Sequence, residues 1–180
     1  MSIPTFPSPK VLKRLKVYRK ILGIDPGLAS TGWGVLEEKD GNVLYIDHGI
    51  ITTKADCPRA ERLCFIMQSI RQIIDKYGPT EAAIENLFFG KNVSSAIPVA
   101  EARGVISASL AEKGIHLSEL TPNAIKKGVT GFSGSDKKQV QEMVRVILNL
   151  AEIPKPDHAS DALAAAICAA NTPVLKLPGV

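Results

Sequence analysis

Three acidic stations carry the side chains best suited to chemistry. Asp25 ends the apolar run Ile21-Leu22-Gly23-Ile24, Glu85 ends Ala82-Ala83-Ile84, and Asp157, His158 and Asp161 open an alanine-rich stretch. His158 and Asp161 are three apart and Asp157 and Asp161 four apart, so on a helix either pair shares one face. Carboxylates are hard oxygen ligands that hold Mg²⁺-like ions while leaving positions for water and phosphate. Two such ions about 3.5–4 Å apart can activate water and stabilise the departing oxygen in phosphodiester hydrolysis. Each station also has an ordinary explanation. An Asp before Pro-Gly is a common turn former, and Asp157 after Pro156 is a natural helix N-cap. Glu85 resists that reading, because a carboxylate following Ala-Ala-Ile stands at the buried end of a strand, where a charge is costly. Taken jointly, the three stations point to a divalent-metal site.

The elements that must position them alternate along the chain. Ile21–Asp25, a Gly/Ser/Thr-rich turn and a second apolar run through Val35 read as a β-hairpin, and Val43–Thr53 as a third strand entered through Asp40-Gly41-Asn42. From Arg59 to Tyr77, apolar side chains recur at three- and four-residue steps until Gly78-Pro79, the pattern of a helix covering a sheet. A strand over Ala82–Asn86 follows, then a loop. A helix capped by Ser95 runs to Lys113, with Pro98 in its first turn. Ile115–Leu120 is the last strand. Helices from Thr121 to Lys127, Asp136 to Leu150 and His158 to Ala170 complete the body.

At 180 residues and 45% hydrophobic, the chain suits one α/β domain with a sizeable core. Residues 1–18 read as a basic, disordered extension, 19–171 as the domain and 172–180 as an irregular tail. Six of the 22 basic residues fall within residues 1–20, which hold no acid, so the remainder carries 16 basic against 18 acidic side chains. Global charge therefore says little about nucleic acid, and local clusters must carry that argument. Cys57, Cys64 and Cys168 lack disulfide or zinc-site spacing and read as buried thiols of a cytoplasmic protein. No apolar stretch is long enough to span a bilayer.

The ordered motifs Gly23-Ile24-Asp25-Pro26-Gly27, Ile84-Glu85-Asn86-Leu87-Phe88, Ala102-Arg103-Gly104, Ile125-Lys126-Lys127, Lys137-Lys138-Gln139-Val140 and Ser160-Asp161-Ala162-Leu163-Ala164 resemble those of the RuvC-type Holliday junction resolvases. The resemblance covers about residues 19–171. It implies an RNase H-like fold, a five-stranded mixed sheet with three antiparallel then two parallel strands flanked by helices. It also implies catalytic metal ligands at Asp25, Glu85 and Asp161, with the family's fourth acidic position falling on His158. The implied cofactor is Mg²⁺ or Mn²⁺, two per site. The implied activity is paired nicking of opposing strands of a four-way DNA junction by a two-fold homodimer, leaving ligatable 5′-phosphate ends in recombination and repair. The branch-migration proteins RuvA and RuvB are the implied protein partners, and the small-residue helix Ser95–Lys113 is a place to seek the dimer contact.

Between residues 120 and 145, Lys126, Lys127, Lys137, Lys138 and Arg145 outnumber Asp136 and Glu142, a setting that suits phosphate contacts. By resemblance, Lys126 and Lys137 contribute to DNA binding and catalysis. Lys138 reads more simply as part of a solvated helix face. Phe88 and Phe89 follow Glu85 in a polar loop with Lys91. By resemblance Phe88 stacks on junction bases; Phe89 is left to cap the core, and Lys91 is counted with the DNA-binding residues. His48 and His116 lie in strand patterns and read as structural. Two rivals remain: a junction binder without catalysis, which would not need the acids, and an actin-like nucleotide-binding domain, which would need a second such domain.

Overall fold

The computed structural model describes residues 18–86 and 93–172. Strands β1 (Tyr18–Asp25), β2 (Ser30–Lys39) and β3 (Asn42–Thr52) form an antiparallel meander. Helix α1 (Arg59–Tyr77) leads to β4 (Glu81–Glu85), which pairs parallel to β1, and α2 (Val93–Glu112) leads to β5 (His116–Leu120), parallel to β4. The sheet order is β3-β2-β1-β4-β5. Helices α3 (Pro122–Thr130), α4 (Lys137–Ile147) and α5 (Asp157–Ala170) complete the chain.

Strand alternation divides the core between the two sheet faces. Leu22, Ile24, Ala82 and Ile84 pack with Ile66, Ile70, Ile106 and Leu110 of α1 and α2. Ile21, Ala83 and Leu36 pack with α3, α4 and α5 on the opposite face. Asp25 shares the parity of Ile21, and Glu85 that of Ala83. The pleat alone therefore turns both carboxylates toward the α5 side at one end of adjacent parallel strands.

Helix α5 lies directly on the strand backbones, because both surfaces are nearly bare. It is buried from Ala159 to Ala169 except at Asp161. A Cβ on Gly23 would overlap the Ala162 carbonyl and lie 2.9 Å from the Ala166 Cβ. One on Gly32 would overlap the backbone of His158. At the far end Arg19 holds the helix. Its guanidinium pairs with Glu81 (Nε–Oε1 2.5 Å, Nη2–Oε2 2.8 Å) and donates to the carbonyls of Ala169 (3.0 Å) and Ala170 (3.1 Å). One buried side chain thus joins β1, β4 and the C-terminus of α5, where a cation also opposes the negative end of the helix dipole.

Several expectations need correction. The turn after Asp25 is short, and β2 already begins at Ser30. Helix α2 begins at Val93, so Ser95 lies inside it and Pro98 sits past its first turn. Helix α3 continues to Thr130, and α4 stops at Ile147. Asp157 is the first residue of α5 rather than its cap, a place taken by Pro156 without a side-chain bond. Of the cysteines only Cys168 is buried, Cys64 being exposed and Cys57 intermediate. Apart from Tyr18 and Thr172, the expected extension and tail lie outside the described residues. No helix among the described residues is long and apolar enough to cross a membrane.

Candidate metal centre

Asp25, His158 and Asp161 converge where the end of β1 meets the start of α5. Each offers one ligand atom, and these atoms lie within 4.8 Å of one another. His158 Nδ1 stands 2.7 Å from Asp25 Oδ2. The sheet register accounts for the approach. Asp25 pairs with Gly32 across β1 and β2, and Gly32 has no side chain to keep the first turn of α5 away. The three-residue step then sets His158 and Asp161 on the same helix face. Glu85 stands outside this group of three, at the end of the neighbouring strand. Arg103 braces the strand end by donating to the Glu85 carbonyl (2.5 Å) and pairing with Glu119 of β5 (2.7 Å).

Electrostatics bind Glu85 to the same site. Burial raises its carboxyl above the ordinary range and the charges of Asp25 and Asp161 raise it further, against the pull of Lys126 and Lys137. Asp25 is raised chiefly by burial and also by Asp161, although the His158 hydrogen bond and Lys137 oppose this. Carboxyls raised in this way by burial and by neighbouring negative charge form a site short of positive charge. A divalent cation would supply that charge, and the donor set of carboxylate oxygens with one imidazole fits such an ion. Lys137 supplies part of it here, its Nζ lying 3.1 Å from Asp161 Oδ2 and 3.3 Å from Asp157 Oδ2. Asp157 is thereby engaged with Lys137, and its carboxyl is lowered by that contact. It is not a member of the group of three, so His158 rather than Asp157 faces Asp25.

The profile of crossover junction endodeoxyribonuclease RuvC matches residues 21–169. The chain is 50% identical over 162 residues to the crossover junction endodeoxyribonuclease RuvC of Chloroflexus aggregans, covering 89% of this chain and 99% of that one. The chain belongs to the RuvC family of crossover junction endodeoxyribonucleases. The Roseiflexus RuvC is also 50% identical, over 149 residues, covering 83% of this chain and 89% of its own. Thermus thermophilus RuvC in complex with Holliday junction substrate superposes with a TM-score of 0.79 at 29% identity, over 83% of this chain and 92% of that one. RuvC membership makes the protein an endonuclease of RNase H-like fold and sets the actin-like alternative aside.

The remaining expected residues fall in three places. Lys126 is half-buried on α3, near enough to Glu85 to stabilise its charge. Lys127 and Lys138 are exposed, whereas Arg145 is occupied by Glu142 of its own helix (2.5 Å). Phe88, Phe89 and Lys91 lie outside the described residues. His48 bonds the Tyr45 hydroxyl (2.8 Å), in keeping with a structural role, and His116 is an exposed residue of β5. Sequence reasoning passed over the glycines that seat α5. The small-residue pattern Gly-Trp-Gly at 32–34 opposite an Ala-rich helix was the available signal.

Proposed function

We propose that this protein resolves four-way DNA junctions by metal-dependent nicking, with Asp25, Glu85, His158 and Asp161 holding the metal. The observation that carries the reading is the convergence of Asp25, His158 and Asp161, with Glu85 beside them, in a chain of the RuvC family. Divalent ions at this site, Mg²⁺ or Mn²⁺ and two per centre, supply an activated water and charge stabilisation at the departing oxygen. The chain's own residues do the rest. Asp25 is fixed by its strand neighbours and orients the His158 ring through Nδ1. Lys137 restrains Asp161 from the solvent side, and Lys126 offsets charge beside Glu85. Lys126, Lys127 and Lys137, with Phe88 and Lys91, form the DNA-binding set, lysines giving affinity without reading sequence.

Opposing nicks need two centres, so the working form is a homodimer, with the small-residue face of α2 as its contact. RuvA and RuvB are the protein partners to test, in a cytoplasmic setting. Asp25→Asn, which keeps shape and removes charge, should abolish cutting while leaving junction binding in metal-free buffer near wild type. A mutant that cuts at a rate near wild type would overturn the site assignment. A wild-type protein that binds junctions without cutting them would favour the non-catalytic binder instead.

A further inference from the structure

Phe132 is the most exposed large apolar side chain among the described residues, with 66% of its surface open. It stands in the six-residue connection between α3 and α4. An exposed ring contributes little to folding, yet the backbone that carries this one is held firmly. The Phe132 N–H donates to Thr130 Oγ1 (3.2 Å). The Phe132 carbonyl accepts from the Ser135 hydroxyl (2.9 Å) and lies 2.9 Å from Thr130 Oγ1. The two hydroxyls are themselves 2.7 Å apart, and that of Thr130 also reaches the Lys126 carbonyl (2.8 Å). Ser135 is buried beneath the loop.

Gly134 is the second observation. It is not among the positive-φ glycines, so the backbone there does not require it. A Cβ at Gly134 would instead lie 2.6 Å from the Phe132 ring atoms Cε1 and Cζ. The missing side chain lets the ring rest against the loop backbone. A cleft of about 600 Å³, lined by Phe132, Gly134, Gln139 and Met143 among others, opens beside it. Of its polar side chains, Asp136 and Gln139 are consumed by the capping box of α4, and Thr130 and Ser135 by the loop bonds just described.

The surroundings name the occupant. Lys126 and Lys127 precede the loop on α3, and Lys137 and Lys138 follow it on α4. Five residues of chain reach at most about 18 Å, so the Phe132 backbone lies within that distance of the backbone of Lys137, whose Nζ meets Asp161 of the metal centre. A flat, uncharged surface on a braced loop among lysines suits a nucleobase, which stacks on an aromatic face whatever its identity. We infer that Phe132 is a stacking platform for an unpaired or end-exposed base of the bound DNA. This inference rests on the DNA-junction reading above and adds to it a second aromatic contact, far from Phe88 in sequence.

The test measures binding of a synthetic four-way junction in metal-free buffer, with 2-aminopurine placed in turn at positions near the branch point. Phe132→Ala should weaken binding by about 5- to 150-fold, the range for losing one stacked base. It should leave the salt dependence and the thermal midpoint unchanged. Phe132→Leu, apolar but without a flat face, should fail similarly, while Phe132→Tyr and Phe132→Trp retain affinity. One 2-aminopurine position should be quenched by wild type and Tyr but not by Ala or Leu. Wild-type affinity in Ala or Leu overturns the inference, as does a loss traceable to unfolding or altered self-association. If wild type binds no junction, the functional reading falls and takes this inference with it. If wild type binds and every variant matches it, only the platform is lost.

Discussion

Replacing Gly32 with alanine adds one methyl group at the point where Asp25 meets the first turn of α5, in the proposed metal site. Gly32 lies across from Asp25, and its added Cβ would sit 2.9 Å from the Ala159 nitrogen and overlap the His158 carbonyl, whereas real Cβ atoms essentially never approach within 3.0 Å. The obstruction is backbone and cannot rotate away, so the first turn of α5 must retreat. Alanine in a strand ordinarily stabilises relative to glycine by roughly 0.5–1 kcal/mol, which makes the sign diagnostic. Overpacking costs about 1–3 kcal/mol, for a net fall in Tm of up to about 10 °C in a chain of this size. The larger effect is on rate, because a misplacement of about 1 Å costs on the order of a hundredfold. Single-turnover cleavage at saturating protein reads the rate, while metal-free junction binding should hold. Gly34→Ala is the comparison, since its Cβ meets the movable Leu163 side chain at 2.5 Å. It should lose stability without a comparable loss of rate. A Gly32→Ala protein that cuts within a few-fold of wild type at an unchanged Tm would refute the seating of α5 on β2.

Other perturbations test the proposed metal site and the latch at the far end of α5. Asp25 and Glu85 both have raised carboxyls, so the folded state binds more protons than the unfolded one above pH of about 4. The metal-free protein should therefore lose stability as pH rises from there through the raised folded values, and Asp25→Asn should raise its neutral-pH Tm while removing the stabilisation by Mn²⁺. A metal-free Tm that falls in that mutant contradicts the charge-crowding argument. His158→Asp replaces a nitrogen donor with a hard oxygen and should shift the ratio of Mn²⁺ to Mg²⁺ cleavage rates toward Mg²⁺; an unchanged ratio removes His158 from the ligand set. Arg19 and Glu81 side chains are 10% and 13% exposed, and breaking such a pair costs about 3–5 kcal/mol. Arg19→Met should lower Tm by on the order of 10 °C, with Glu81→Gln in the same chain restoring part of it, whereas a shift under about 2 °C would show that the latch contributes little.

Much of this was legible before the fold was known, for physical reasons. Strand runs ending in Asp25 and Glu85 are local patterns, and the step from His158 to Asp161 is fixed by helix geometry. The spacing over Arg59–Tyr77 gave the observed helix end to end. What stayed hidden depends on long-range contact. Asp157 reads as a cap when only its neighbours are considered, but Lys137, far away in sequence, binds it. Arg19 counts as one more charge of a basic N-terminal stretch until the C-terminus of α5 arrives to accept its hydrogen bonds. Gly32 and Gly34 read as turn residues, because their purpose is to admit a helix more than a hundred residues away. Phe132 carried no signal, since its exposure depends on how Thr130 and Ser135 fold the loop beneath it.

The central claim is tested most directly by incubating the protein with a radiolabelled four-way junction and with a linear duplex of the same sequence, with and without Mg²⁺ or Mn²⁺. Paired nicks in opposing strands of the junction alone, dependent on metal and ligatable afterwards, are the expected result. Equal cutting of the linear duplex, or junction cutting that survives removal of divalent ions, would contradict it.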